Sequence, residues 1–341
     1  MDNNNATIQQ NQEIQNEDLA RASNAIGLIS QAFSEKVVGQ ERLRAILIIS
    51  LIAGGNILLE SVPGLAKTTA VKALASSIGG TFKRIQCTPD LLPSDIVGTQ
   101  IYDGSRGEFR TELGPIHANF VLLDEINRSS AKTQSALLEA MQEKQVSIGG
   151  VKYNLPNPFM VLATQNPIEQ EGTYELPEAQ LDRFLFKEIL SYPSSKEEVA
   201  ILKRIESGVL DEGQDQETEP RVSADEIVYL QGLAKKVYID DAVKDYIVQI
   251  VSATRDPKSV IAPDLAKYVQ YGASPRASIA LQQASKVLAL MNGRGYVIPE
   301  DIKQLGFSVL RHRIILNFEA VADQVHSEVI INAILNTVTT P

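Results

Sequence analysis

The chain has 341 residues, which is enough for about two domains. Its composition, 44% hydrophobic and 22% charged, is ordinary for a globular protein with a sizeable core. The formal net charge of −10 argues against a protein that coats duplex nucleic acid, because such a protein needs a basic face. One cysteine excludes an intramolecular disulfide, and three histidines argue against a multi-histidine metal site.

Membrane-spanning and export segments are not expected in this chain. The longest apolar run, residues 46–59, is interrupted by glycine and asparagine and is too short to cross a bilayer. The N-terminus lacks the basic-then-apolar pattern of a secretion signal, so we expect a cytoplasmic protein. Residues 1–18 are rich in Asn and Gln and nearly free of large apolar side chains, which predicts a disordered tail.

Residues 19–206 show the alternation of strands and helices that is typical of a doubly wound α/β domain. Near-continuous apolar runs predict parallel strands that are buried on both faces. The predicted strands are 57–60, 82–87, 120–124, 159–164 and 184–189. The predicted helices are 20–33, 41–53, 69–78, 131–145 and 196–205.

Two segments, about 90–115 and 146–158, interrupt this alternation. Each contains short runs about a turn, and Gly149-Gly150 in the second is a hairpin signal. These hairpins either contact another molecule or are surface additions to the domain without a binding role. The sequence pattern does not decide between these two interpretations.

The remainder of the chain predicts an acidic linker at 207–222 and an all-helical second domain at 223–341. Ser223 and Asp240 are candidate N-cap residues. Helices are expected near 223–236, 240–254, 275–292, 299–311 and 319–337.

The stretch from Ser61 to Thr69 has the layout of a phosphate-binding loop, because a strand, a tight turn and a Lys-Thr pair at a helix start follow one another. A helix N-terminus offers free N–H groups to a phosphate, and Lys67 adds a positive charge. The hydroxyl of Thr68 can bind Mg²⁺. Ser61 and Ala66 stand where the strict pattern has glycine. A Lys-Thr pair at a helix start also arises by chance, so other residues must decide.

Polar residues follow two of the other predicted strands. Asp124 and Glu125 end one strand at the edge where open α/β sheets bind ligands. If the strand before the loop is a neighbour, Asp124 lies near Thr68 and can hold Mg²⁺ through water, while Glu125 polarises an attacking water. Asn166 ends the next strand and can orient that water. Taken alone, an acidic strand end is often only polar, and Asn-Pro is only a turn signal.

Two arginines complete the set of candidates. Arg183 precedes the last strand and could face a nucleotide that a neighbouring subunit holds, or pair with Asp182 at the surface. Arg276 stands at a predicted helix start, from which it could reach over phosphates, although such residues are usually solvated.

Together these motifs resemble the AAA+ ATPases and, among them, the MoxR family, from about Val37 to Arg313. The resemblance implies an α/β fold: an AAA+ P-loop αβα sandwich with a parallel five-stranded sheet, followed by an all-α lid domain. MoxR proteins carry Ala at the position of Ala66, whereas Ser61 replaces a usual glycine. The resembling segments are 38–40, 62–68, 122–128, 163–167, 176–184, 272–277, 296–301 and 312–313.

The resemblance also assigns roles. It implies that Lys67 and Thr68 are the Walker A pair and that Asp124 and Glu125 are the Walker B pair. Asn166 would be sensor 1, Arg183 the arginine finger and Arg276 sensor 2. Val38 and Gly39 would lie beside the adenine. The implied catalytic residues are Glu125, Asn166, Arg183 and Lys67. The implied nucleotide and Mg²⁺ contacts are Val38, Gly39, Pro63, Gly64, Leu65, Ala66, Lys67, Thr68, Thr69, Asp124 and Arg276, with Thr68 and Asp124 at the metal.

The implied function is ATP hydrolysis with Mg²⁺ in a hexameric ring that acts as a chaperone on protein clients, often with a von Willebrand A domain partner. The two inserts would line the pore face of that ring. One alternative is a nucleotide-binding assembly scaffold with little hydrolysis. A nucleic-acid remodeller is the third reading, and the charge of −10 disfavours it, so no nucleic-acid partner is expected.

Overall fold

The computed structural model describes residues 14–62, 64–166, 174–207 and 219–341. Residues 1–13 of the predicted tail and 208–218 of the predicted linker therefore lie outside the described residues. Residues 16–18, which we expected to belong to the tail, instead form the first turn of a helix. The end of the predicted linker is also packed, since the N–H groups of Arg221 and Val222 donate to the carbonyl of Ser77.

The strands and helices follow one another as listed here in chain order. The strands are β1 (Ile57–Glu60), β2 (Phe82–Gln86), β3 (Gly98–Asp103), β4 (Glu108–Leu113), β5 (Phe120–Asp124), β6 (Gln145–Ile148), β7 (Val151–Asn154), β8 (Met160–Gln165), β9 (Phe186–Ile189), β10 (Val269–Tyr271) and β11 (Ile315–Leu316). The helices are α1 (Asn16–Lys36), α2 (Glu41–Ala53), α3 (Lys67–Ser77), α4 (Pro93–Val97), α5 (Ala131–Glu143), α6 (Glu178–Leu181), α7 (Ser195–Glu206), α8 (Ala224–Lys236), α9 (Asp241–Arg255), α10 (Pro263–Ala266), α11 (Pro275–Met291), α12 (Pro299–Leu310), α13 (Phe318–Ala322) and α14 (Ser327–Thr337).

Five of the strands form one parallel sheet in the order β2-β5-β8-β1-β9, which confirms the predicted sheet. The strand bounds agree with the prediction to within two residues. The largest shift is at β9, which begins at Phe186 rather than at Phe184. The reason is that the N–H groups of Arg183 and Phe184 still close the turn after α6.

The sheet is buried on both faces. In β5, which lies between β2 and β8, Phe120 and Leu122 belong to one apolar cluster, and Val121 and Leu123 belong to another. All four side chains are 0% exposed. Because successive side chains of a strand point to opposite faces, the two clusters lie on opposite sides of the sheet, as in a three-layer αβα sandwich.

The two inserts form the predicted hairpins, β3–β4 and β6–β7. They also contact each other: the hydroxyl of Tyr153 donates to Oγ1 of Thr111 at 2.9 Å. The rings of Tyr102 and Phe109 pair edge to face on the first hairpin, with centroids 5.3 Å apart. These rings are 58% and 67% exposed, so the inserts together present an apolar surface to solvent.

The second domain contains the predicted helices, and Ser223 and Asp240 cap α8 and α9 as expected. Two expectations were wrong. Residues 319–337 belong to two helices, because the left-handed backbone of Gln324, where φ is 54°, interrupts the helical path. The domain is also not entirely helical, since β10 and β11 pair antiparallel. Strands of three and two residues are too short to show a periodic pattern in the sequence.

Helices α1 and α2, which we assigned to the first domain, pack against the second as well. The amide of Gln231 in α8 donates to the carbonyl of Leu51 at 2.8 Å, and Arg21 in α1 pairs with Glu226 in α8 at 2.6 Å. A single apolar cluster includes residues of α1, α2, one sheet face and the main helices of the second domain. None of the helices in the described ranges is long and apolar enough to span a membrane.

We expect Gly114→Ala to destabilise the base of the first hairpin. A Cβ at Gly114 would lie 2.1 Å from the carbonyl oxygen of Ile96 and 2.7 Å from the nitrogen of Gly98, which are backbone atoms that cannot move aside cheaply. Overpacking of this kind costs about 1–3 kcal/mol in the free energy of unfolding. Gly104→Ala is the matched control, since no atom of the described residues lies within 4 Å of a Cβ there. Equal urea midpoints for the two variants would contradict the described packing.

Candidate active site

The loop between β1 and α3 tolerates serine at its first position. Ser61 is 3% exposed, and its N–H donates to the carbonyl of Gln165 at 3.2 Å. Its φ is not positive, so the backbone at this position does not require glycine. The Ser61 hydroxyl is buried without a hydrogen-bond partner among the described residues.

The turn into α3 lies further along the loop. Gly64 and Ala66 have φ of 87° and 52°, in the left-handed region. Alanine costs about 1–2 kcal/mol there relative to the right-handed region, so the surrounding fold holds Ala66 in place. Lys67 follows as the first residue of α3, with Thr68 and Thr69 in the same turn, so the free N–H groups of this helix end face the loop. Pro63 lies outside the described residues.

The carboxylate of Asp124, at the end of β5, has partners on both oxygens. Thr164 Oγ1 donates to Oδ1 at 2.8 Å. Arg84 donates to Oδ2 through Nη2 at 2.5 Å and through Nε at 3.1 Å. The Thr164 hydroxyl also accepts the N–H of Glu125 at 2.9 Å, so one side chain of β8 orients both acidic residues.

Glu125 has a strained backbone. Its φ and ψ are 57° and 54°, in the left-handed region, which costs a non-glycine residue about 1–2 kcal/mol. The side chain is 22% exposed. Gln86 Nε2 donates to Oε2 of Glu125 at 2.9 Å, and Arg128 Nε lies 3.3 Å from the same oxygen. A strained residue held from several sides is typical of a functional position.

The condition that β1 is a direct neighbour of β5 is not met, because β8 lies between them. Two strand spacings separate Asp124 from the loop by about 10 Å. The groups still act on one another: burial lowers the pKa of Lys67, and the negative charges of Asp124 and Glu125 only partly oppose that shift. These residues therefore form one electrostatic site across three strands.

Asn166 joins this site from β8. It follows Gln165, which is in register with Glu60 at the end of β1, and its side chain is 7% exposed. The ends of β1, β5 and β8 thus carry the loop, the acidic pair and the amide at a single sheet edge.

Val38 and Gly39 lie in the connection between α1 and α2, where φ of Gly39 is 65°. Gly39 packs tightly on α7, since a Cβ there would lie 2.1 Å from Oε1 of Glu197. The chain enters α7 just after Leu190, whose N–H donates to the carbonyl of Glu60 at 2.9 Å. This connection is therefore close to the same sheet edge.

Arg183 and Arg276 are placed elsewhere. The N–H of Leu185 donates to the carbonyl of Asn56, so the segment before β9 lies at the amino edge of the sheet. Arg183 is exposed, and its guanidinium donates to the carbonyl of Leu138 at 3.2 Å. The charged groups that act on Lys67 are Asp124, Glu125 and Arg84, which all lie at the carboxyl edge. About 13 Å of strand separates this edge from the loop.

The lid brings Arg276 to the segment that carries Arg183. Ser274 Oγ donates to Asp182 Oδ2 at 2.7 Å, and Arg313 Nε donates to Asp182 Oδ1 at 2.8 Å. The alternative of an Asp182–Arg183 surface pair is wrong, because Asp182 pairs with Arg313 and the Arg183 guanidinium donates to the carbonyl of Leu138.

Sequence reasoning assigned no site role to Arg84, Gln86 or Thr164, which contact the acidic pair. One signal was available: Arg84 and Gln86 end a strand whose neighbour ends in Asp124. The sequence does not give strand order, so this juxtaposition could be recognised only after the sheet was known.

We expect Cys87 to be unreactive in the native protein. The thiol is 0% exposed, and burial raises its pKa to about 12, so little thiolate forms at pH 8. Titration with a disulfide reagent should detect almost no thiol before unfolding and one thiol per chain in urea. Rapid stoichiometric labelling of the native protein would contradict the described burial beside Asp124.

Sequence comparisons now define the class of the protein. A family model described as "ATPase family associated with various cellular activities (AAA)" matches residues 56–186, and a model of the AAA lid domain matches residues 262–334. A crystal structure of a protein from Cytophaga hutchinsonii superposes with a TM-score of 0.89 at 46% identity, covering 95% of this chain and 97% of that chain. These matches confirm the predicted AAA+ fold with a following lid.

The named relatives give the family. The chain is 50% identical over 305 residues to "Chaperone MoxR1" of Mycobacterium tuberculosis, covering 89% of this chain and 79% of that protein. It is 30% identical to "Protein MoxR" of Methylorubrum extorquens, covering 93% of this chain and 95% of that protein. The chain therefore belongs to the MoxR family of AAA+ ATPases.

Proposed function

We propose that this chain is a chaperone-like AAA+ ATPase that hydrolyses ATP with Mg²⁺ and uses the energy to remodel protein clients. The proposed active form is a ring oligomer, specifically a hexamer. The observation that carries this proposal is the convergence of the Lys67 loop, the Asp124–Glu125 pair and Asn166 at one sheet edge. Family membership supports the nucleotide-binding and chaperone-like parts.

The phosphates of ATP would lie at the N-terminus of α3. The free N–H groups of this helix end donate to phosphate oxygens, and Lys67 adds a positive charge. Thr68 would bind Mg²⁺ through its hydroxyl, and Asp124 would hold the ion through a water molecule. Both provide oxygen ligands, which this ion prefers. Bound Mg²⁺ supplies neutralisation of the charge that develops on the phosphate oxygens.

Glu125 would act as the general base. Its carboxylate accepts a proton from the water that attacks the γ-phosphate, and Gln86 and Arg128 hold the carboxylate in position. Asn166 would donate a hydrogen bond to the γ-phosphate or to that water.

The arginines would act between subunits. Because Arg183 lies at the amino edge of the sheet, a strand length away from the loop of its own chain, its role as an arginine finger requires a neighbouring subunit. Arg276 is anchored beside the same segment. We therefore propose that Arg276 also contacts the nucleotide of the neighbouring subunit, and not the nucleotide bound by its own chain. Hydrolysis then depends on assembly.

The paired hairpins would contact the client. Their exposed rings, Tyr102 and Phe109, provide an apolar surface that nothing covers within the described residues of this chain. A von Willebrand A domain protein is the proposed partner on the strength of the family resemblance.

One observation favours the second candidate, a nucleotide-binding scaffold with little turnover. Arg84 occupies Oδ2 of Asp124, so that guanidinium must yield before Asp124 can help to hold Mg²⁺. Phosphate release from the purified protein at near-millimolar ATP separates the two functions. Sustained release supports the remodelling ATPase, and nucleotide binding without release supports the scaffold.

We expect Glu125→Gln to bind ATP and to hydrolyse it at least about 100-fold more slowly, because the amide cannot accept the proton of the attacking water. Binding is measured with a fluorescent ATP analogue and turnover by phosphate release. Glu319→Gln, an exposed change in the lid, is the matched control and should leave both values unchanged. Turnover of Glu125→Gln at the wild-type rate would exclude Glu125 as the base.

We expect Arg183→Ala to bind ATP normally and to lose at least about 10³-fold in turnover, which is the lower end of the range for arginine fingers. Lys258→Ala removes an exposed lid charge of the same sign and should turn over normally. Light scattering beside the assay reports assembly. Full turnover by a preparation that is monomeric would refute the shared site.

A further inference from the structure

We propose that Asp182 is a positioning residue that holds Arg183 and the start of α11, which carries Arg276, as one unit facing the neighbouring subunit. This inference rests on the proposed shared active site and adds to it a specific mechanical link. Asp182 is assigned no role by the family resemblance, and its carboxylate joins the last turn before β9 to two separate segments of the lid.

The first link runs to α11. Ser274 Oγ donates to Asp182 Oδ2 at 2.7 Å, and the same hydroxyl accepts the N–H of Arg276 at 3.1 Å as the N-cap of the helix. Arg183 and Arg276 therefore both lie within two residues of a single hydrogen bond. A rotation of α11 is transmitted to Asp182 through one hydrogen bond between two short side chains.

The second link is a buried arginine. Arg313 is 6% exposed, and its guanidinium donates to Asp182 Oδ1 at 2.8 Å and to the carbonyls of Phe184 at 2.6 Å and Leu185 at 3.3 Å. Asp182 supplies the negative charge in this cluster. The turn that leads from Arg183 into β9 is thus held to the lid by one buried cation and its single carboxylate.

The positive charge of Arg276 also acts on this cluster. Burial lowers the pKa of Arg313, Asp182 opposes that shift, and the positive charge of Arg276 adds to it. Two like charges are held close to each other here, and the carboxylate of Asp182 offsets their repulsion.

Arg183 has little else to fix its position. Its side chain is exposed and, among the residues that the structure describes, donates one hydrogen bond, to the carbonyl of Leu138 at 3.2 Å. The placement of its guanidinium therefore depends on the backbone that Asp182 anchors. A displacement of about 1 Å in a catalytic group can cost about 100-fold in rate, so loss of the anchor should affect turnover more than nucleotide binding.

The test mixes two inactive variants. In a ring, each site combines Glu125 of one subunit with Arg183 of the next, so Asp182→Ala and Glu125→Gln subunits damage opposite halves of a site. We expect Asp182→Ala alone to lose about 100-fold in kcat with KM for ATP changed by less than about 3-fold. A one-to-one mixture with Glu125→Gln should recover about a quarter of wild-type turnover, because one interface in four then joins two intact halves.

Arg183→Ala mixed with Glu125→Gln is the reference, since it tests the shared site without Asp182. Recovery in this reference but not in the Asp182→Ala mixture would overturn the role of Asp182 and leave the proposed function standing. Absence of recovery in both mixtures would refute the shared site and the positioning role together. Asp182→Ala alone at the wild-type rate would overturn the positioning role by itself.

A second variant guards against misfolding of Asp182→Ala. Ser274→Gly removes the hydroxyl that contacts Asp182 and keeps a residue that helix N-caps tolerate. Ser223→Gly makes the same change at the N-cap of α8, away from Asp182, and is the matched control. We expect a fall of about 10-fold or more in kcat for Ser274→Gly, with recovery in the Glu125→Gln mixture, and unchanged kcat for Ser223→Gly. Equal kcat values for the two glycine variants would contradict the inference.

Discussion

The parallel pairing of five strands is the constraint on which the rest of the structure depends. Parallel strands end at the same edge of the sheet. The groups that follow β1, β5 and β8 therefore converge there, although they are far apart in the sequence. The order β5-β8-β1 also places Thr164 between the loop and the acidic pair. Its hydroxyl bridges Asp124 and the backbone of Glu125, which makes β8 the element that aligns the site.

The same sheet separates the two halves of the proposed chemistry. The loop and the acidic pair lie at the carboxyl edge, and Arg183 lies at the amino edge, so one chain presents a nucleotide site and a separate arginine. In the proposed assembly, such an arrangement would join subunits head to tail, and contacts of that kind close into a ring if the rotation permits. The proposed dependence of hydrolysis on assembly follows from strand direction rather than from any added regulatory element.

The lid is joined to the sheet through buried polar contacts on β9 and the turn before it. Arg313 holds the turn, and Glu188 within β9 is 7% exposed and lies near Arg42 of α2 at 3.5 Å and Arg311 at 3.7 Å. Removing one partner of a buried ion pair leaves an uncompensated charge, which is strongly destabilising. The lid and the edge strand should therefore move together, and α2 follows because it contacts both.

Much of the fold could be predicted from the sequence, because apolar periodicity and caps are local properties. Helix α2 and strands β1 and β5 match the prediction residue for residue. The sequence by itself also determined the residue types that the proposed chemistry needs, Lys67 with Thr68 and Asp124 with Glu125. The order of the strands, the contacts of Arg84 and Thr164, and the link of Asp182 to Arg313, 131 residues away, were decided only by the tertiary structure. The physical reason is that pairing between distant segments depends on burial and hydrogen bonds that no local pattern encodes.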